Sequence, residues 1–140
     1  MDAIRDLDRL LAEMEPVLWE ETYVFLSVGH DEAAEWTARL APLATFREAE
    51  GTTFIVESRS AHAHWFGAAP AMRRITLMVH SSLEAVGLTA AVAACLAQAG
   101  ISANVVAAYH HDHVFVPEAD AETAVQALRQ LQQRYRAGGA

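Results

Sequence analysis

Three of the seven histidines in this 140-residue chain lie close together in the segment YHHDHVFVP, residues 109–117. Imidazole nitrogen is a common metal ligand, so His110, His111 and His113 are candidates for a zinc or nickel site. In an extended strand alternate side chains point to opposite faces, so His111 and His113 would diverge from His110 and Asp112. Asp112 also suits a turn, where neighbouring imidazoles can bond the exposed backbone. The spacing therefore favours a histidine-rich hairpin tip over a metal site.

A second polar segment, HSSLEAVGL at residues 80–88, joins a predicted strand to a predicted helix. The first turn of a helix offers unpaired N–H groups and the positive end of the helix dipole. We predict that a ligand carboxylate docks on the amides near Gly87 and Leu88, while Glu84 receives an ammonium group. Two loop serines and the adjacent strand complete the predicted ligand-binding set, which is Ser81, Ser82, Glu84, Gly87, Leu88, Asn104 and Val105. The same serines would also cap a purely structural turn, so that alternative stays open.

Hydrophobic periodicity predicts the elements that position these two segments. Apolar residues at helical spacing predict helices over residues 3–14, 31–42, 88–99 and 121–135, with Asp31 and Asp120 as possible caps. Runs rich in β-branched and aromatic residues predict strands over residues 22–28 and 74–80, the first preceded by a short linker. Two further pairs of strands, at residues 44–48 with 52–57 and at residues 104–110 with 113–117, are separated by short polar stretches. Each pair is predicted to form a hairpin.

The order of these elements predicts two related halves in an α+β fold. The second half reads β-α-β-β-α, a split βαβ arrangement of helices on one face of an antiparallel sheet. The first half has a helix and three strands. A stretch of small residues between Ser58 and Arg73 separates the two patterned parts, and we place the boundary there, giving halves at residues 1–65 and 66–140.

The segment from Val79 to Pro117 resembles the ACT domain, a small ligand-sensing module of amino-acid metabolism. The resemblance lies in the predicted strand, in Val86-Gly87-Leu88 at the start of a helix, and in residues 99–106 (AGISANVV) leading into the next strand. Residues 45–56 (TFREAEGTTFIV) are similar to the N-terminal half of a small bacterial family of stand-alone, paired ACT-like proteins. The resemblance implies tandem ACT-like, ferredoxin-like halves that bind a free amino acid in a regulatory role, without catalysis and without a cofactor.

Composition narrows the classes of partner. Ten Lys and Arg against 18 Asp and Glu give a formal net charge of −8, so a nucleic acid would meet net repulsion. No apolar run reaches the length of a membrane span, and the first residues do not resemble a signal peptide, so we expect a soluble cytoplasmic protein. The single cysteine, Cys95, excludes an internal disulfide. Amphipathic faces and an incomplete second-half sheet predict a symmetric homodimer.

Three other functions remain as alternatives to an amino-acid sensor. The same surface would also serve a protein-interaction module whose loop stays empty. A metal-binding protein would use His110, His111 and His113. An enzyme ranks last, because no pairing of nucleophile and base and no phosphate-binding glycine loop is found in the sequence.

Overall fold

The computed structural model describes residues 6–67, 69–82 and 85–137. These residues form two compact units. Unit 1 comprises the described parts of Met1–Trp19 and Arg73–Ala140, and unit 2 comprises Glu20–Met72 apart from residue 68. The predicted boundary between residues 65 and 66 stays a prediction.

The elements follow the order that the hydrophobic periodicity predicts, with differences at their ends and with one additional helix in the stretch between Ser58 and Arg73. In chain order they are α1 (Leu7–Glu13), β1 (Glu15–Val28), α2 (Ala33–Leu40), β2 (Ala44–Arg47), β3 (Thr52–Glu57), α3 (Ser58–Ala63), β4 (Met72–Met78), α4 (Leu88–Gln98), β5 (Asn104–Ala107), β6 (Asp112–Pro117) and α5 (Ala121–Arg136). The strands form a six-stranded sheet in the order β2-β3-β1-β4-β6-β5. Pairs β1–β3, β2–β3 and β5–β6 are antiparallel, and the predicted α+β class is confirmed.

The core of unit 1 lies between one face of its strands and helices α1, α4 and α5. Alternate residues of β6, Val114 and Val116, face this core, and Ile75 and Leu77 of β4 do the same. The helices contribute the apolar stripes that the sequence predicts, namely Leu10, Leu11, Leu88, Val92, Leu96, Ala121, Ala124, Val125, Leu128 and Leu131. Burial of these stripes is the main force that holds the helices on the sheet.

Unit 2 has a smaller core of its own. Phe54 and Val56 of β3 and Val24 of β1 are buried against Leu40 of α2 and Ala61 of α3. Strand alternation sets which side chains of β3 face the helices, because residues two apart share a face. Phe54 and Val56 therefore lie on the face of β3 that packs against α2 and α3.

The two predicted hairpins are confirmed, and they share one geometry. In each, a four-residue strand is joined by four residues to a six-residue strand. The loops are closed by matching backbone bonds, Glu48 N–H to Gly51 O at 2.9 Å and Ala108 N–H to His111 O at 3.0 Å. The chain therefore contains one hairpin design twice, 60 positions apart.

The prediction of a linker before the first strand is wrong. Strand β1 begins at Glu15 and not at residue 22. Arg73 Nε donates to the carbonyl of Trp19 at 2.7 Å, and the Trp19 indole N–H donates to Thr76 Oγ1 at 2.8 Å. Two hydrogen bonds to residues of β4 thus accompany an extended conformation that the polar sequence around Glu20 does not suggest.

The predicted cap at Asp31 is also wrong, and Asp120, which stands at the N-cap position of α5, makes no capping hydrogen bond with its side chain. A short 3-10 turn runs directly into α2 and another into α5, so the chain is already near helical geometry there, and Asp120 has φ −101° and ψ 1°. A capping side chain needs an extended backbone at its own residue. Asp6 meets that need with ψ 119°, and its carboxylate accepts the Arg9 N–H at 3.0 Å.

None of the described helices is both long and apolar enough to cross a membrane.

Candidate functional site

A small cavity lies in unit 1 where the loop after β4 meets the start of α4 and the end of the β5–β6 hairpin. Its volume is about 160 Å³. The lining residues are Ser81, Ser82, Ala85, Gly87, Leu88, Thr89, Ala107 and Asp112. We call it the unit 1 cavity.

One wall of the unit 1 cavity carries a buried carboxylate. Asp112 lies directly opposite Ala107 in the hairpin, on the same side of β6 as the core residue Val114. The residue is only 8% exposed, and no hydrogen bond or ion pair to its carboxylate is present among the described residues. Burial raises the pKa of Asp112, and the nearby His111 partly offsets this effect. A cationic ligand group would stabilise the ionised form.

The opposite wall is the start of α4. Gly87 precedes the helix with φ 101°, a left-handed conformation that favours glycine. A Cβ atom built on Gly87 would lie 2.9 Å from Leu7 Cδ2, the end of a flexible side chain that can move aside, so the positive φ is the main reason for a glycine here. The first helical bond runs from Ala91 N–H to Gly87 O, which leaves the amides of Leu88 and Thr89 without an intrahelical acceptor.

The cavity therefore places unpaired amides at the positive end of a helix on one side and a carboxylate on the other. Amides at a helix start stabilise a carboxylate, and a buried carboxylate stabilises an ammonium group. A small zwitterion carries both groups. The hydroxyls of Ser81 and Thr89 are further polar groups on the lining.

Comparisons with known proteins agree with this architecture. Two ACT-domain family models match the chain, one at residues 2–73 and the other at residues 73–130. The chain belongs to the ACT-domain family. This confirms the resemblance noted from the sequence, and it supports a ligand-binding regulatory module, because the matched domains are regulatory and not catalytic.

Solved structures include one close relative and several that share only the ACT fold. A protein of unknown function from Vibrio cholerae, described as a possible transport protein, is 49% identical over 86% of this chain and 91% of that chain, with a TM-score of 0.78. The ligand-free regulatory subunit of aspartate kinase from Thermus thermophilus is 16% identical over 86% and 97% of the two chains, with a TM-score of 0.66. Aspartokinase III from E. coli, in complex with aspartate and ADP, is 15% identical over 83% and 32%, with a TM-score of 0.57. A search of curated protein sequences gave no match.

Part of the predicted ligand-binding set comes together in unit 1. Ser81, Ser82, Gly87 and Leu88 line the unit 1 cavity. Their role in ligand binding stays a prediction, and Glu84 lies outside the described residues.

Asn104 and Val105 do not line the unit 1 cavity. Neighbouring strand residues point to opposite faces, so Asn104 is directed away from the helix side. Val105 faces that side, but it packs against the core. The residue of β5 that lines the cavity is Ala107, at the other end of the strand, and a role of Asn104 and Val105 in ligand binding stays a prediction.

Asp112 was missed as a site residue because it was interpreted as part of a turn. It is the first residue of β6, and the loop ends at His111. The signal that could have revealed it is its spacing of two and four residues from Val114 and Val116, which puts all three on one face.

The histidines of unit 1 do not form a metal site in the described part of the chain. No three His, Cys, Asp or Glu side chains there are placed to hold one ion. The ring centroids of His110 and His111 are 6.5 Å apart, and those of His111 and His113 are 6.4 Å apart. Ring separations of this size do not fit nitrogens that lie about 2 Å from a single zinc ion.

His113 instead joins a hydrogen-bond network on the sheet face opposite the unit 1 cavity. Its Nδ1 lies 2.9 Å from Thr76 Oγ1, which accepts the indole N–H of Trp19. The O–H of Thr76 is therefore available to donate to a neutral imidazole. Burial lowers the pKa of His113, and the positive charges of Arg74 and His111 lower it further.

Proposed function

We propose that this ACT protein is a regulatory module that binds a free amino acid in the unit 1 cavity. The observation that carries the proposal is the buried Asp112 carboxylate facing the start of α4 across one small cavity. The ligand carboxylate would accept hydrogen bonds from the amides of Leu88 and Thr89, and its ammonium group would pair with Asp112.

The size of the cavity supports a small ligand. At about 160 Å³ it lies below the roughly 300–1,000 Å³ that is usual for drug-sized ligands. Pairing also relieves an existing cost, because an ionised carboxylate is unfavourable in a buried position without a partner. An uncharged or purely anionic ligand would leave Asp112 unpaired.

A thermal-shift screen of the twenty amino acids tests the proposal. A ligand that binds only the folded protein adds about 2.7 kcal/mol of stability at one hundred times its Kd. For a chain of this size that corresponds to a rise of roughly 5–11 °C in Tm. At least one amino acid should give such a rise with the wild-type protein.

The variant Asp112→Asn should remove most of this rise, because the amide keeps the shape of the side chain without its charge. Asp120→Asn is a matched control, since Asp120 lies outside the cavity and makes no capping bond. If no amino acid raises Tm, and mass spectrometry excludes a copurified ligand, the sensor proposal is wrong and a protein-interaction module replaces it.

We also propose that the protein forms a homodimer through a sheet edge. Strand β2 is the last strand at one end of the sheet order, and Phe46 on it is 72% exposed. Exposed edge strands with apolar side chains favour pairing with another chain. Light scattering at micromolar concentration should give twice the monomer mass, and a monomer would contradict the proposal.

A cytoplasmic location stays a prediction.

A further inference from the structure

We propose that unit 2 holds a second, independent binding site, and that this site takes a small oxyanion, a carboxylate or a phosphate group. The site is a cavity of about 840 Å³ at the end of the β2–β3 hairpin. Its lining residues are His30, Ala33, Ala34, Thr37, Thr45, Arg47 and Thr52. We call it the unit 2 cavity.

The hairpin register brings three polar side chains to one wall of the unit 2 cavity. Arg47 lies directly opposite Thr52, and Thr45 lies opposite the core residue Phe54. Directly opposed residues of an antiparallel pair share a face, and so do residues two apart in a strand. Thr45, Arg47 and Thr52 therefore all face the side on which α2 packs.

Arg47 is the group that selects the charge of the ligand. No hydrogen bond or ion pair to its guanidinium is present among the described residues, whereas Arg39 of the same unit pairs with Glu35 at 2.8 Å. A guanidinium donates two parallel N–H bonds to a carboxylate or phosphate, and such charge-assisted bonds are strong. The hydroxyls of Thr45 and Thr52 make no hydrogen bond in the described part of the chain, so both remain as donors.

Nearby groups do not neutralise Arg47. The carboxylate of Glu48 accepts the hydroxyl of Thr53, which points to the opposite face of the hairpin from Thr52. His30 donates from Nε2 to the carbonyl of Ala49 at 3.2 Å, because a carbonyl can only accept. This bond holds the imidazole at the cavity rim. No Asp or Glu is among the lining residues.

The unit 2 cavity matches the unit 1 cavity in position but not in chemistry. The opposed pair at the hairpin end is Arg47 with Thr52 in one and Ala107 with Asp112 in the other. The first pair carries a cation and the second an anion. The unit 2 cavity therefore lacks an acceptor for an ammonium group, and its proposed ligand differs from the amino acid of unit 1.

Calorimetric titration of the full chain with succinate and, separately, with inorganic phosphate tests this site. At least one of the two anions should bind, and Arg47→Gln should weaken that binding about tenfold or more, because a charge-assisted pair is lost. Arg39→Gln is the matched control and should leave the affinity unchanged. Tighter binding of succinate would assign the site to carboxylates, and tighter binding of phosphate would assign it to phosphate groups.

Two further variants keep the test decisive if Arg47→Gln disturbs the fold. Arg47→Lys keeps the charge without the planar pair of donors, so it should retain part of the affinity. Thr52→Asp places a carboxylate next to Arg47 and should abolish binding. The proposal is overturned if neither anion binds, or if Arg39→Gln lowers the affinity as much as Arg47→Gln. Asp112→Asn should not affect these titrations, which separates this site from the amino-acid site.

Discussion

The β2–β3 and β5–β6 hairpins have the same strand lengths, the same loop length and the same closing hydrogen bond, yet the cavities at their ends differ in charge. In unit 2 a guanidinium lines the cavity, and in unit 1 a buried carboxylate does. The repeated backbone places a cavity at the end of each hairpin. The side chains of one opposed pair, Arg47 with Thr52 or Ala107 with Asp112, give the two cavities opposite charge, and our two ligand proposals rest on that difference.

The largest expected effects concern the glycines beside the two cavities. A Cβ atom built on Gly51 would lie 2.8 Å from the backbone oxygen of Val28, which cannot move without distorting β1. At Gly87 the nearest atom is the flexible end of Leu7. We expect Gly51→Ala to lower the free energy of unfolding by about 3 kcal/mol, and Gly87→Ala by about 2 kcal/mol because of its left-handed φ.

Urea denaturation of both variants measures this difference. Gly100→Ala serves as a control for the cost of a positive φ alone, because Gly100 has φ 74° and no atom within 4 Å of a built Cβ. If Gly51→Ala were as stable as the wild type, the close approach at the unit 2 hairpin would not be a constraint.

A medium effect is expected on the other face of the two hairpins, where His113 in unit 1 matches Thr53 in unit 2. The comparison is between the hydrogen bonds that these two positions make, and in unit 1 the partner of His113 is Thr76. Thr76 is 3% exposed and bonds both Trp19 and His113, whereas Thr53 bonds only the exposed Glu48. Thr76→Val should therefore cost about 1–2 kcal/mol, because it removes two part-buried hydrogen bonds, one to the Trp19 indole and one to the His113 imidazole.

Thr53→Val should cost at most about 0.5 kcal/mol, as is usual for a surface change. Thermal unfolding of the two variants compares these costs. Equal losses would mean that the Trp19–Thr76–His113 network does not stabilise unit 1.

A smaller, pH-dependent effect distinguishes Asp112 from Thr52. The raised pKa of Asp112 means that the folded state binds this proton more tightly than the unfolded chain does. The contribution of Asp112 to stability is therefore most favourable below its ordinary pKa of about 3.9 and is lost as pH rises through the folded pKa.

Without ligand, Asp112→Asn should accordingly be more stable than the wild type at pH 7, and the difference should disappear at low pH. Thr52→Asn should show no such pH dependence. A stability difference for Asp112→Asn that stays constant from pH 3 to pH 7 would contradict the buried, unpaired carboxylate.

Local patterns in the sequence were sufficient for most of the fold. The apolar stripe from Leu88 to Leu96 and the stop at Gly100 predict α4, and the turn residues between paired strands predict both hairpins. Strand β1 was predicted too short, because its first residues are polar and are accompanied by hydrogen bonds to residues distant in the sequence. Such long-range bonds leave no local signal.

The candidate sites could be predicted only in part, for a related reason. The loop before α4 was found because its serines and Gly87 are neighbours in the sequence. Asp112 was missed because the sequence suggests a turn at this residue, whereas β6 begins there. A difference of one position decides whether a side chain belongs to the turn or to the face of the strand. The unit 2 cavity was missed altogether, since Thr45, Arg47 and Thr52 resemble ordinary strand residues until the hairpin register places them together.

The charge of the unit 1 cavity can be tested most directly with two ligands that differ only in an ammonium group. One is the amino acid with the largest thermal shift, and the other is the same molecule without its amino group. Calorimetric titration is carried out in the Thr52→Asp background, which should abolish oxyanion binding in unit 2, so that only the cavity around Asp112 contributes. We predict that the amino acid binds at least tenfold more tightly than the deaminated acid, and that Asp112→Asn removes this preference. Equal affinity for the two ligands would contradict the assignment of Asp112 as the group that receives the ammonium.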